Sequence, residues 1–212
     1  SLINVVEGAL NEQSGAVIRL KELATQGASE TLGASERQTL NLEIASLVAE
    51  IDRIAATTEF NGRTLLNGSL AQSVLVPKQI FIQIGINSQS ESRLNLNVEL
   101  DLSASNSTQL GINNLSVSTS EDAQTALDDI AGALKTLNFS RGKTGALQNR
   151  FAKSLGTLAS SIQNLTAANS ILRDADIAEE VALLTRNQII AMTSISMVGQ
   201  TNLAGQDLLD IL

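Results

Sequence analysis

Few side chains in this sequence could perform catalysis, and most of those that could are carboxylates. The 212 residues include no His and no Cys, which excludes a Ser-His or Cys-His nucleophile, a Cys/His zinc site and a disulfide. Carboxylates cluster at Asp174, Asp176 and Glu179-Glu180, beside Arg173. An acid–base pair needs a cleft that shifts one pKa, whereas acidic residues here are typical of a solvated helix start. We therefore predict no active site and no enzyme.

One short motif resembles the end of a phosphate-binding loop. Gly142-Lys143-Thr144 would need a Gly five residues before Gly142, together with a preceding strand. Position 137 is Leu, and no strand is predicted before it. Nucleotide binding is therefore not predicted, and neither is any other cofactor or metal.

Composition and charge narrow the class of protein. Lys and Arg total 14 against 22 Asp and Glu, a net charge of -8, which argues against nucleic acid as a partner. Hydrophobic residues make up 43% but aromatic residues only 2%, which favours long aliphatic helices packed side by side. No apolar run approaches the roughly 20 residues that span a bilayer, so no membrane contact is predicted.

Apolar residues recur at helical spacing in three segments. Stripes over about 2–28 and 35–58 predict two helices, the second with a heptad seam that ends before Asn61-Gly62. A longer repeat of apolar residues at helical spacing over 121–172 predicts a third helix. Polar residues take the place of apolar ones near Gly142 and Gly145, and this polar seam indicates either a kink or a polar neighbour. Together these segments predict a mainly α fold: an elongated antiparallel helical bundle, or coiled-coil rod, with a small β-hairpin region.

The hairpin is predicted over about 80–102. Isoleucines alternate from Ile80 to Ile86, and apolar residues alternate again from Leu94 to Leu102, with a turn between the two runs. The Ser- and Asn-rich residues 103–120 are predicted to be a variable surface linker.

The last segment, 173–212, carries apolar residues on most helical faces. Such a helix needs burial on most faces, which the three upstream helices cannot supply. Arg186 is its only cation beyond Asp174, so a membrane-surface role is disfavoured. Packing in an assembly is preferred over folding back on the bundle, and the candidate assembly or chaperone-binding residues are Ile189, Ile190, Met192, Ile195, Met197, Val198, Leu203, Leu208, Leu209, Ile211 and Leu212.

Several linked motifs resemble those of bacterial flagellin in family order. In the first part these are 6–12, 19–24 and 50–55, followed by Glu59-Phe60-Asn61-Gly62. In the second part they are 145–151, 164–168, 173–180 and 206–212. The match covers about residues 1–68 and 121–212, and its number of linked motifs makes it highly specific.

The resemblance implies a fold and an assembly. Residues 1–172 would form the flagellin rod domain, and 173–212 would form mainly the C-terminal half of the inner coiled-coil domain. The large outer domains are absent from this sequence. Flagellins also carry several dozen residues ahead of the segment resembling 1–11, so the chain is expected to be truncated at its N-terminus and not to polymerise alone.

Partners are also implied by the resemblance. They are other flagellin subunits, the flagellar export chaperone on the C-terminal helix, and the host innate immune receptor for flagellin. By motif position, the receptor would contact Arg19, Leu23, Glu43 and Arg150. Ile18, Lys21 and Thr25 depart from the commonest form of the first receptor motif.

The function implied is that of a secreted structural subunit of the bacterial flagellar filament, assembled for motility through its terminal helices. One alternative is a hook–filament junction protein, which shares the terminal pattern. Another is a surface-located flagellin relative that binds a glycan or a receptor.

Overall fold

The computed structural model describes residues 1–209, apart from the side chains of 174–176 and 203–209. It is 73% helical, with long packed helices and short antiparallel strand pairs, so the predicted mainly α fold is confirmed. Chain contacts divide it into two units, Ser1–Leu158 and Ala159–Leu212. The elements in chain order are α1 (Leu2–Gly27), α2 (Ala34–Thr57), β1 (Glu59–Phe60), β2 (Arg63–Thr64), β3 (Phe81–Gln83), β4 (Arg93–Asn95), α3 (Leu96–Leu100), α4 (Ser107–Leu110) and α5 (Ser120–Leu209).

The core of the first unit is built on the apolar stripe of α1. Its buried residues recur at steps of three and four, which places them on one helical face. α2 and the first part of α5 contribute further aliphatic side chains to the same core, among them Ile44, Ile51, Ile130 and Leu137. The buried residues of α1 are Ile3, Val6, Leu10, Gln13, Ser14, Val17, Leu20, Leu23, Ala24 and Gly27.

A buried guanidinium fixes the turn between α1 and α2. Arg37 donates to the backbone carbonyls of Gly27, Ser29 and Val117, so it binds the end of α1, the following turn and the chain entering α5. The end of α1 and the chain entering α5 come so close that a Cβ added at Gly27 would stand 2.7 Å from the Cβ of Val117. Arg37 therefore satisfies carbonyls that would otherwise be buried without a partner.

A buried amide sets the register further along the same helices. Gln13 donates from Nε2 to the carbonyl oxygens of Ile51, at 3.2 Å, and Ser105, at 2.8 Å. The hydroxyl of Ser105 donates back to Oε1 of Gln13 at 2.6 Å. Because all of these groups are away from water, a shifted register would leave each of them unsatisfied.

α5 is continuous through its polar seam, the positions Arg141, Thr144 and Gln148. Arg141 Nε donates to Glu7 Oε1 of α1 at 3.0 Å, and Gln148 Nε2 donates to Asn4 Oδ1 at 3.3 Å. Of the two predicted explanations for this seam, a kink or a polar neighbour, the structure has the polar neighbour.

A small hairpin that the sequence did not predict follows α2. β1 and β2 pair antiparallel, with Phe60 opposite Arg63. Between them Asn61 and Gly62 have φ of 53° and 75°, as the two central residues of a type I′ turn require. The Asn-Gly pair therefore turns a hairpin, whereas we predicted only that it stops the preceding helix.

The predicted 80–102 hairpin is shorter than expected. β3 and β4 pair antiparallel only from Phe81 opposite Asn95 to Gln83 opposite Arg93. Residues 96–100 form α3 because Asn95 caps it by accepting from the backbone N–H of Asn97. Leu96 and Leu100 are both buried, since i and i+4 positions share a helical face as well as a strand face. The alternating pattern could therefore not distinguish the two structures.

The structure also corrects the prediction that residues 103–120 form a surface linker. Ser105, Ser107, Leu110, Ile112 and Val117 within it are buried. The segment contains α4, whose first turn is held by Asp52 of α2: Ser107 donates to Asp52 from its backbone N–H at 2.7 Å and from its hydroxyl at 2.8 Å. Ser105 and Ser107 of this segment therefore bond to side chains of α1 and α2, while other polar residues, such as Asn113 and Asn114, remain exposed.

Replacing Arg37 with Ala tests the buried guanidinium. We expect the free energy of unfolding to fall by about 3 kcal/mol, because three carbonyls lose charge-assisted hydrogen bonds. Urea unfolding followed by circular dichroism measures this change. Arg53→Ala is the matched control on the same helix, because Arg53 pairs only with exposed Glu50 in the structure and its loss should leave the midpoint unchanged. Equal midpoints for both variants would contradict the assignment.

Candidate assembly and receptor-binding surfaces

Arg19 and Glu43, two of the predicted receptor contacts, form one exposed ionic cluster across α1 and α2. Arg19 Nη2 lies 2.7 Å from Glu43 Oε1, and Arg19 Nη1 lies 2.9 Å from Glu22 Oε2. The hydrogen bond to Glu22, followed by that to Glu43, raises the pKa of Arg19 above its ordinary value. The guanidinium is therefore a permanent cation on the surface, partly neutralised by its two carboxylate neighbours.

Leu23 does not belong to that surface. Its side chain is 1% exposed and lies in the core of the first unit. The helical stripe that gives Leu23 its spacing also turns it inward, away from solvent. In this structure Leu23 therefore contributes to the core of the first unit, and its side chain is not presented at the surface.

Arg150 lies apart from the Arg19 cluster. Its Nη1 donates to Glu99 Oε1 at 2.5 Å, and the neighbouring Gln148 bonds to Asn4 near the start of α1. Arg19 is fifteen residues further along α1 than Asn4, which is about 20 Å at the helical rise. The structure thus brings Arg19 and Glu43 together but not Arg150 with them.

The second unit exposes the apolar residues of the predicted assembly segment. From Ala159 to Asn202, every side chain that the structure describes is exposed except Ser161, which is half-buried. Of the eleven candidate residues, six have exposed described side chains: Ile189, Ile190, Met192, Ile195, Met197 and Val198. The side chains of Leu203, Leu208 and Leu209, together with residues Ile211 and Leu212, lie outside the described part of the chain.

The carboxylates near Glu179 do not mark a helix start. α5 runs from Ser120 to Leu209, so Asp174 to Glu180 lie within it. The motif that we expected to begin a separate helix therefore belongs to a continuous one.

By length and composition alone, α5 has one stretch that could cross a membrane. The stretch of 18 residues falls between Ser120 and Asn202 and is not buried in the structure. The sequence shows no unbroken apolar run here, because polar residues interrupt each run although the mean hydropathy of the stretch is apolar. This criterion is weak evidence of a membrane span, and a helix covered by other protein subunits would have the same composition.

Two grooves lie in the first unit, and neither is lined by a pair of carboxylates. One of about 760 Å³ lies between the start of α1, β3 and α5, and its lining, which includes Leu2, Ile82 and Phe151, has no Asp, Glu, Lys or Arg. A second, of about 270 Å³, contains Asp52, whose carboxylate is already engaged by Ser107. Within residues 1–209, no group of carboxylates that the structure describes could hold a metal ion.

The fold defines a mainly α protein of long packed helices, and comparison with known proteins identifies its family. The N-terminal helical region of bacterial flagellin matches residues 1–71, and the C-terminal helical region matches 127–212. The flagellar filament 30.7 kDa core protein of Treponema maltophilum is 32% identical over all of this chain and 75% of its own length. A flagellin of Bacillus subtilis is 34% identical over all of this chain and 77% of its own.

A solved structure agrees with the sequence comparison. The crystal structure of Bacillus cereus flagellin matches with a TM-score of 0.59 and 28% identity, covering 79% of this chain and 90% of that one. The chain belongs to the bacterial flagellin family. It is a structural subunit of the flagellar filament and not an enzyme, as the sequence predicted.

Truncating Leu23 and Arg19 separately tests which of them is at the surface. We expect Leu23→Ala to lower the free energy of unfolding by about 2–5 kcal/mol, because it leaves a cavity in the core. Arg19→Ala should leave the unfolding midpoint unchanged, because exposed ion pairs add little. Chemical denaturation measures both, and a stable Leu23→Ala variant would contradict the burial of this residue.

Proposed function

We propose that the apolar surface of α5 between Ile189 and Val198 is the surface through which subunits pack in the filament. In this proposal, residues 1–172 are the rod domain and 173–212 the C-terminal half of the inner coiled-coil domain. The observation that carries it is the exposure of all six described candidates on one helix, with only one cation, Arg186, nearby. Contact between copies of the chain removes this surface from water.

Burial energetics supports this assignment. Fully covering an Ile, Leu or Met side chain is worth about 1.5–3 kcal/mol. The exposed residues occupy most sides of α5, so a single flat contact would leave part of them in water. A coiled assembly, in which several helices surround each one, covers them all.

The same surface would need cover before assembly. We propose that the flagellar export chaperone binds it in the cell, and that the subunit is then secreted and added to the extracellular filament. An exposed apolar helix is prone to premature association. A partner that occupies the surface until export would prevent this.

Introducing a charge into the assembly surface tests the proposal. Ile195 is 73% exposed in the subunit, so Ile195→Asp should leave its fold unchanged. In the filament the new carboxylate would be buried without a partner, and we expect cells making the variant to lose filaments and swimming. Electron microscopy of the cells and a pull-down with the export chaperone measure the two uses of the surface.

Ile195→Leu is the matched control, because it keeps the volume and apolar character of the position. It should assemble and bind the chaperone as the original chain does. Normal filaments from Ile195→Asp cells would count against assembly through this surface. Unchanged capture by the chaperone would count against the chaperone proposal alone.

We further propose that the exposed cluster of Arg19 and Glu43, with Arg150 as a separate contact, is recognised by the host innate immune receptor for flagellin. The support is that all three side chains reach the surface and that Arg is enriched among residues that dominate interface energetics. Leu23 is buried in the core and is not included in this proposed contact.

Replacing Arg19 with Ala tests the receptor proposal. We expect activation of receptor-bearing reporter cells to fall by about tenfold or more, because the variant loses a bidentate donor. Arg53→Ala serves as control, since Arg53 is also an exposed Arg paired with a Glu three residues away. Equal activation by the Arg19→Ala variant and the original chain would remove Arg19 from the contact.

A further inference from the structure

The oxidisable side chains of this sequence are concentrated in one place. It contains two Met and no Cys, Trp, Tyr or His. Thioethers are therefore the side chains through which a mild oxidant could change this sequence. Both of them, Met192 and Met197, lie in α5 among the assembly candidates.

The two methionines are open to solvent in the subunit and face different directions. Met192 is 69% exposed and Met197 63%. Five residues on a helix correspond to a rotation of about 140°, so the two sulfurs lie on different sides of α5. Any assembly that covers most of the helix therefore buries at least one of them, next to apolar neighbours such as Ile195 and Val198.

We propose that Met192 and Met197 form an oxidation site for hydroperoxides, and that their sulfoxides weaken assembly through α5. The proposal rests on the function proposed above for this surface. It adds a chemical modification that acts on the free subunit.

The reaction is an oxygen transfer. The sulfur lone pair attacks one oxygen of hydrogen peroxide, the O–O bond breaks and an S–O bond forms. The sulfur is oxidised by two electrons, the proton of the transferred oxygen passes to the departing hydroxide, and the other peroxide oxygen leaves as water. Methionine sulfoxide reductases reverse the change.

Oxidation changes the polarity of the methionine side chains. A sulfoxide is polar and chiral, whereas the thioether is flexible and apolar, so a buried contact made by Met is lost on oxidation. In the coiled assembly proposed above, which surrounds α5, a covered sulfur is protected from the oxidant. Oxidation is therefore selective for subunits that have not yet assembled.

Peptide mapping tests the site. Filaments are purified from cells that make the protein, and one portion is dissociated into subunits. The intact and the dissociated portions are then treated with hydrogen peroxide. No Lys or Arg follows Arg186, so one tryptic peptide holds both methionines. We expect it to gain two oxygens, about 16 Da each, at least about tenfold faster in subunits than in filaments. Equal rates in both would overturn the proposed site.

Reassembly tests the consequence. We expect oxidised subunits, dissociated from cellular filaments, to need about a tenfold higher concentration to form filaments again, as measured by sedimentation. Treatment with methionine sulfoxide reductases should restore the original value. Met192→Leu/Met197→Leu is the matched variant: it should assemble normally and be insensitive to peroxide. Doubly oxidised subunits that reassemble normally would overturn the proposed effect on assembly.

The two proposals fail in different ways. If untreated subunits reassemble but the oxidised ones do so equally well, only the oxidation proposal falls. If Ile195→Asp subunits also form normal filaments, the assembly surface itself is wrong, whereas the oxygen uptake of the peptide still decides whether the site exists.

Discussion

Coverage of the apolar stripe of α1 is the constraint on which the first unit depends. The chain has almost no aromatic residues, so its core is made from Leu, Ile, Val and Ala, each of which adds little area by itself. Such a core is stable only if long stretches of helix face one another. α2 and the first part of α5 meet this need, and the intervening hairpins and 103–117 close the remaining sides.

Aliphatic side chains alone would allow the helices to slide by a turn, and buried polar groups prevent this. Arg37 binds three carbonyls at one end of the α1–α2 pair, and Gln13 binds Ile51 and Ser105 further along. Each group is satisfied in one register and left without a partner in another. The cost of an unsatisfied buried group is large enough to select that register.

The second unit differs from the first because its apolar side chains are exposed. Its residues have the same aliphatic composition, but no other element of the unit covers them among the described residues. The assembly proposed for this surface would remove its apolar area from water, which favours association. The same exposure accounts for the proposed sensitivity of Met192 and Met197 to oxidants.

The sequence by itself determined the helical class, the positions of α1 and α2 to within a residue, and a family whose members are structural proteins. It could do so because helical periodicity and residue chemistry are local properties. Only the tertiary structure decided that 96–100 is helical, since Leu96 and Leu100 fit a strand and a helix equally well. It also decided that five residues between Ser105 and Val117 are buried, and that Leu23 faces inward while Arg19 does not. These outcomes depend on which groups meet across the core, and sequence spacing alone does not encode that.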